Sequence, residues 1–578
     1  MFPDDGARLA CVSLAWMDGE TLRSVGLPFD QGRVAEKLGS DQEALWGEED
    51  VNLSVDVWKR LLVLLSKKQL VMHNAKFDLT MLDVGTRHWF GADLSEGLMW
   101  DTMLAAKALE PTASASLDAS ARRAGLEGKE GLDVVQGWLK KRKLPKYRYD
   151  LVEWSAIEPY VTTDAELTLQ LYYWQREQIA GDSVRYVISR ELDLCRVLFK
   201  MERRGIGFDS QRALEAAAEL EKLADETEAQ MPFKCDITAA KKYFFDEAGL
   251  DPERVTAHGA ASLDDETIRK WAQEGVEWAP EYRRVKRARK AVSMWYRGYP
   301  EKVGLDGRLR TSYRQHTVVS GRLSVERVNL QAMPKADKLE DGMVGVRDLL
   351  VAKEGYGLWS LDMQQAELRA AAKYAGCTEM ERMLALGADI HGLNTVEIMG
   401  VQPDAPDFKL KRDIGKKLTF SSLFHISGRG FQALLSREAD IRIPLLDADA
   451  LVQRWRNRYP EFSWAYYRAE RRAKSSGWVR ILPGSEYETR SYFGDDDWEH
   501  TAWNRMVQGS LAAWLRLWLV QVEEECPDAL VLTVHDSIML ELPEETGDEV
   551  AAEVGKRAAE RASEIFQCSM PVEVERYV

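Results

Sequence analysis

The sequence predicts a multidomain α/β and α+β architecture, and three observations carry that expectation. The chain has 578 residues, 45% of them hydrophobic, enough length and apolar content for several cores. To about residue 180 short apolar runs alternate with helical stretches, and from Ser189 the chain turns strongly helical. After residue 300 strands return, and two of them end at an aspartate on either side of a helical excursion.

The elements follow in order. Apolar runs at 9–16 and 70–73 read as strands, and 151–175 as the helix closing a first domain over 1–185. The segments 191–202 and 210–228 are amphipathic, separated by the turn Arg204-Gly205-Ile206-Gly207. The stretch 281–290 reads as a densely basic helix. Its single sign in an acidic chain makes Arg287 and Lys290 candidates for phosphate-backbone contact. The apolar runs 356–361 and 529–534 read as strands. The second continues into 538–542, so His535-Asp536 tips a hairpin. Between them, about 378–500 reads as mostly helical, and a sheet with two aspartates and a helical insertion suits a palm with fingers.

Composition narrows the classes. Six scattered cysteines without a CxxC pair argue for a reducing cytoplasm and against a disulfide framework or a zinc site. The most apolar stretch, 511–522, is short and contains Arg516, so a buried amphipathic helix is expected there and no membrane contact. A net charge of −16 argues mildly against nucleic-acid binding, but a groove can be basic on an acidic protein.

Three separated segments carry the chemistry: Leu361 to Arg369, Arg412 to Phe424, and Val534-His535-Asp536-Ser537. Mg²⁺ wants hard oxygen ligands, one or two carboxylates plus substrate phosphates. Asp362 and Asp536 can supply the carboxylates from adjacent strands, with the Met363 carbonyl oxygen as an added ligand. Arg412, Lys416, Phe420 and Phe424 recur every four residues and so are expected along one helix face. A face that begins cationic and ends aromatic suits a nucleotide, phosphates at one end and the base at the other.

These segments resemble the three motifs of family A DNA polymerases, the DNA polymerase I type: DYSQIELR, RxxxKxxxFxxxY and VHDE. Other blocks agree, namely Met201 to Gly205, Thr311 to Gln315 with Gly321 to Ser324, Asn329-Leu330-Gln331, and Asn504 to Gly509 against NxPMQG. The resemblance implies a right-hand polymerase over 186–578, with a thumb at about 205–310, fingers at about 378–495 and the remainder palm. It implies that Asp362 and Asp536 hold two Mg²⁺ ions (Mn²⁺ can substitute), that Arg412 and Lys416 grip the triphosphate, and that Lys416 assists the leaving pyrophosphate. Phe420 and Phe424 would pack by the nucleotide, with Gln365 and His535 beside it, and Glu367 would exclude a ribose 2′-OH. Arg322, Asn329, Gln331, Asn504 and Gln508 would contact DNA. Minor-groove acceptors are nearly sequence-independent, so Arg322 and Gln508 would sense pair geometry there.

The sequence departs from the family pattern at several positions. Met363 and Gln364 replace Tyr and Ser, Ser421 replaces Gly, Phe424 replaces Tyr, Ser537 replaces Glu, and His500 stands where Arg is common. Phe420 in place of Tyr implies discrimination against dideoxynucleotides.

Toward the N-terminus, His73-Asn74-Ala75-Lys76-Phe77-Asp78 and Tyr160-Val161-Thr162-Thr163-Asp164 resemble the second and third motifs of the DEDDy 3′–5′ exonucleases, an RNase H-like domain. Asn74, Asp78, Tyr160 and Asp164 would form that site. The first motif, a DxE on an opening strand, is not found, and Asp4 and Asp5 lack its spacing. Proofreading is therefore expected to be absent or reduced, through truncation or a misplaced start.

The leading expectation is a monomeric, cytoplasmic, template-directed DNA polymerase acting on primer–template DNA and dNTPs, with replisome or processivity factors as further partners. A compact chain without a 5′-nuclease domain is more typical of bacteriophage replication, which would put it in the host cytoplasm. The alternatives are a 3′–5′ exonuclease with a nucleic-acid-binding C-terminal region, and a catalytically silent replisome component. Intact Asp362, Lys416 and Asp536 weigh against both.

Overall fold

A computed structural model describes residues 9–29, 52–86, 93–128, 131–179, 182–252, 255, 261–334, 344–439, 441–494 and 499–577. Asp4 and Asp5 lie outside them. The described residues fall into two compact units. One takes the residues up to Arg204 with Tyr313–Ser324 and Arg468–Leu530. The other takes Gly205–Ser312, Val325–Tyr467 and the chain from Val531 onward.

In the first unit a single helix, Asp182–Arg204, runs across the expected boundary at 185. Ile188, Leu192, Cys195 and Phe199 on that helix are buried with Leu62, Leu79 and Leu104 in one core, so the helix belongs with the elements before it. Strands Cys11–Asp18 and Thr21–Pro28 form an antiparallel hairpin closed by Gly19 at φ +64°, two residues later than the run 9–16 predicts. Leu70–Met72 pairs in parallel with Leu98–Asp101. The closing helix is Trp154–Gln178, shifted three residues from expectation.

The stretch 511–522 lies in the 24-residue helix Ala502–Glu525 of the same unit. Its apolar positions, Trp514, Trp518 and Leu519 among them, are buried, and Arg516 pairs with Glu191. No helix among the described residues is long and apolar enough to cross a membrane. The expected helical stretch 378–500 holds only to Ser476. Gly477 at φ +72° stops the helix, and the alternating Trp478–Ile481 then pairs with Thr489–Tyr492 as a hairpin.

The second unit is built on a four-stranded sheet in the order Leu530–Val534, Ser537–Pro543, Tyr356–Met363, Val572–Arg576. The helix Gly547–Phe566 packs across it, and only glycine fits at 547, where a Cβ would fall 2.0 Å from the Trp359 ring. Helices Thr378–Ala385, Ile390–Met399, Phe408–Leu423, Gly428–Ala439 and Leu445–Arg458 form the excursion between the two aspartate strands.

Ser210–Ala229 and the basic helix Ala279–Ala291 pack against each other through Ala224, Val285 and Ala288. The basic run is less unbalanced than it reads. Arg283 is bidentate to Asp265, and Arg289 bonds Glu228 and Asp225, whereas Lys290 is exposed.

Candidate active site

The strand Tyr356–Met363 is mostly buried and leaves Asp362 exposed near its end, with Met363 buried beside it. Opposite Asp362, about 4.8 Å across the sheet, stands Ser537, so Asp536 is one residue away in the turn that leads into the adjoining strand. Glu573 faces Asp362 from the other flank, a neighbour that sequence reasoning missed because strand pairing is long-range.

The turn carrying Asp536 is tight. His535 takes φ +57°, the Ser537 hydroxyl donates to the Val534 carbonyl at 2.9 Å, and the Thr533 hydroxyl donates to the Ser537 carbonyl at 2.9 Å. Ser537, where the family pattern has Glu, thus closes its own hairpin. After Asp362, Gln365 at φ +53° leads into the helix Ala366–Ala375, which has Glu367 in its first turn. Buried Arg369 holds that corner by donating to the carbonyls of Gln364 (3.0 Å) and Ser569 (3.2 Å).

Among the described residues no group of three or more His, Cys, Asp or Glu side chains converges to hold a metal. Two carboxylates and a backbone carbonyl at adjoining strand ends do match the sparse, all-oxygen donor set that leaves room for substrate phosphates around Mg²⁺.

The helix Phe408–Leu423 packs against Ala366–Ala375. Arg412, Lys416 and Phe420 follow one another at single-turn spacing, and Lys416 is exposed. Phe424 is the C-cap of this helix. The helix ends at Leu423, and the Phe424 amide bonds the Ser421 carbonyl three residues back, so the last turn is tightened. Ser421 keeps its hydroxyl on its own helix, donating to the Lys417 carbonyl at 2.7 Å. A Cβ on Gly415 would fall 2.6 Å from the Thr395 hydroxyl, so this glycine allows the helix Ile390–Met399 to approach closely.

That neighbouring helix adds two residues that sequence reasoning missed. Asp389 accepts a bidentate pair from Arg412 at 2.8 and 2.9 Å, which holds its carboxyl below the usual carboxylate range. His391 lies 5.3 Å from the Phe420 ring. Burial first, then nearby Lys416, pushes its imidazole down to about 4, so it is neutral near pH 7. The one sequence signal was a lone Asp-Ile-His at a helix start, which by itself is an ordinary cap.

Of the predicted DNA contacts, Asn504 and Gln508 are one turn apart on the helix Ala502–Glu525, in the first unit. Arg322 follows Gly321 in the same unit. Arg516 holds the Gly321 carbonyl at 2.8 Å, and Gly321 takes φ +75° beside Ala512. Asn329 and Gln331 belong to the second unit. The Asn329 side chain caps its own turn, accepting from the Ala332 amide at 3.1 Å.

The exonuclease-like residues gather in the first unit. Asp78, on Ala75–Thr86, is pushed up to about 7 by burial and by the neighbouring Asp101 and Asp164. Asp101, absent from the expected set, accepts amides of Asn74, Ala75, Met103 and Leu104, and so ties two helix starts together. Its signal was a strand-ending Asp before a helix. Tyr160 lies one turn before Asp164 and packs with Val135, Leu139 and Val152.

Residues 210–577 match the family model for DNA polymerase family A. The chain is 30% identical over 413 residues to the thermostable DNA polymerase I of Thermus filiformis, an alignment covering 67% of this chain and 46% of that protein. It is 25% identical over 508 residues to DNA polymerase I of Pseudomonas aeruginosa, covering 84% of this chain and 53% of that one. It thus spans about half the length of these relatives. The POL domain of Pol1 from M. smegmatis, solved in complex with DNA primer-template and dNTP, superposes with a TM-score of 0.69 at 20% identity. That match covers 87% of this chain and 85% of that one. On the strength of the family match, the chain belongs to DNA polymerase family A.

Proposed function

We propose that this chain is a template-directed DNA polymerase that extends a primer 3′-OH with dNTPs. The observation that carries the reading is the register of the sheet, which sets Asp362 opposite Ser537 and therefore beside Asp536. Asp362, Asp536 and the Met363 carbonyl would hold Mg²⁺. The ions would supply positive charge to the phosphates and the attacking oxygen.

The chain's own residues do the rest. Arg412 exchanges its Asp389 carboxylate for a phosphate, since both fit the same planar fork. Lys416 adds charge and can give a proton to the departing pyrophosphate. Phe420, backed by His391, supports the sugar and base. Glu367 excludes a ribose 2′-OH, and Gln365 and His535 border the nucleotide. Arg322 and Gln508 read minor-groove acceptors, with Asn504, Gln331, Arg287 and Lys290 along the duplex. Asn329 contributes through its turn.

The exonuclease-like cluster of Asn74, Asp78, Tyr160 and Asp164, with no DxE found on an opening strand, supports weak or absent removal of mismatched 3′ ends. We read the exonuclease-like domain as 1–185, its core completed by the helix Asp182–Arg204 that leads into the polymerase at 186–578. The protein would be a monomer working in the cytoplasm, that of the host if phage-encoded, with replisome factors as partners.

Primer extension with Mg²⁺ tests the reading. Wild type extends, and Asp362→Ala and Asp536→Ala each lose roughly a thousandfold or more, about 4 kcal/mol. Unchanged extension in either variant would sink the metal assignment. Dideoxynucleotides are incorporated more slowly than dNTPs, and equal rates would refute the role given to Phe420.

A further inference from the structure

The helix Pro460–Ser476 buries Phe462, Ala465, Ala469 and Ala473 and turns another face outward. On that face stand Trp464, 61% exposed, and Tyr467, 52% exposed, followed by exposed Arg468 and Arg471. These positions, i, i+3, i+4 and i+7, fall within an arc of about 100°. All four side chains are carried by one helix, so its geometry alone sets their spacing. Among the described residues, Trp464, Arg468 and Arg471 have no hydrogen-bond, ion-pair or ring partner, and Glu470 on the same helix is bonded to Lys474. In a chain of net charge −16, two adjacent cations without a carboxylate beside two exposed rings need an explanation.

The aromatic end is braced from behind. His425, at φ +62°, lies 4.2 Å from the Tyr466 ring and 5.2 Å edge-on from Tyr467. Arg456 donates to the Ile426 carbonyl at 2.9 Å and fixes that turn. His425 directly follows Phe424, so the braced face begins where the candidate nucleotide helix ends, about 18 Å along from Arg412.

We propose that this face is a platform for single-stranded DNA. An unpaired base offers a π-face to Trp464 and Tyr467, and guanidinium groups hold the phosphates between stacked bases. A duplex hides its base faces and could use only the cations. Naming the strand as the unpaired template rests on the polymerase reading; the single-strand chemistry does not.

The test measures equilibrium binding of the full chain to a primer–template with a long 5′ overhang and to its blunt counterpart. Trp464→Ala and Tyr467→Ala each weaken overhang binding roughly tenfold, leave blunt binding within about twofold, and melt like wild type because the side chains are exposed. Trp464→Phe keeps most of the affinity. Arg468→Gln with Arg471→Gln lowers the salt slope by about 1.4. Unchanged overhang affinity in every variant, as for a face that docks a protein, overturns the platform, and so does an equal loss on blunt DNA. A wild type that binds the overhang through this face but extends nothing refutes the polymerase reading alone. One that extends normally while every variant binds like wild type refutes the platform alone.

Discussion

The two acidic sites of this chain treat the same side chain in opposite ways. In the second unit Asp362 is open to solvent at a strand end, and its neighbour Asp536 tips a hairpin. In the first unit Asp78 faces Asp101 and Asp164 from the inside of a packed core. Strand ends deliver carboxylates outward without cost to the sheet. Helices converging on a core deliver them against one another, where burial and like charge favour the protonated form. The first arrangement leaves a carboxylate accessible from solvent, whereas the second sets like charges against one another.

The largest expected effect tests the open site. Lys416→Ala should lower single-turnover incorporation by roughly three orders of magnitude, about 4 kcal/mol, as expected for a group giving charge and a proton to pyrophosphate. A loss below tenfold would make Lys416 a bystander.

Next comes the neutral histidine beneath the cations. His391 is depressed in the folded state, so its contribution is present above about 6.5 and is lost as pH falls toward 4. Thermal melts of wild type should lose stability across that window by up to about 3 kcal/mol, and His391→Asn should flatten the loss. An identical pH profile in the variant would show that another group governs it.

The buried cluster gives the converse sign. Asp78 is raised, so the folded state loses stability as pH rises from about 4 toward 7. Asp78→Asn should therefore stabilise the protein by about 2 kcal/mol at pH 8 and far less at pH 4. A destabilised variant at pH 8 would erase the contrast between the two sites. Smallest is Ser537→Ala, which removes one turn-closing bond at about 1 kcal/mol and should barely change extension rates. A large fall in extension would mean that the hydroxyl acts at the site itself.

Much of this was legible from sequence because it is local. A strand that ends in Asp362, a hairpin tip at Asp536 and a helix carrying Arg412, Lys416 and Phe420 are each written within a dozen residues, where period and turn chemistry operate. The helix end is less legible: the four-residue spacing runs on to Phe424, whereas the helix closes at Leu423 with a tightened last turn.

What sequence alone determined was the inventory of reactive side chains and the elements that hold them. Only tertiary structure decided their partners: Asp389 on Arg412, His391 under Phe420, Asp101 binding two helix starts, and His425 bracing Tyr467. Such pairs join elements that local propensity treats independently. Whether an aspartate ends up open to a cation or pressed against its own kind depends on how those elements pack.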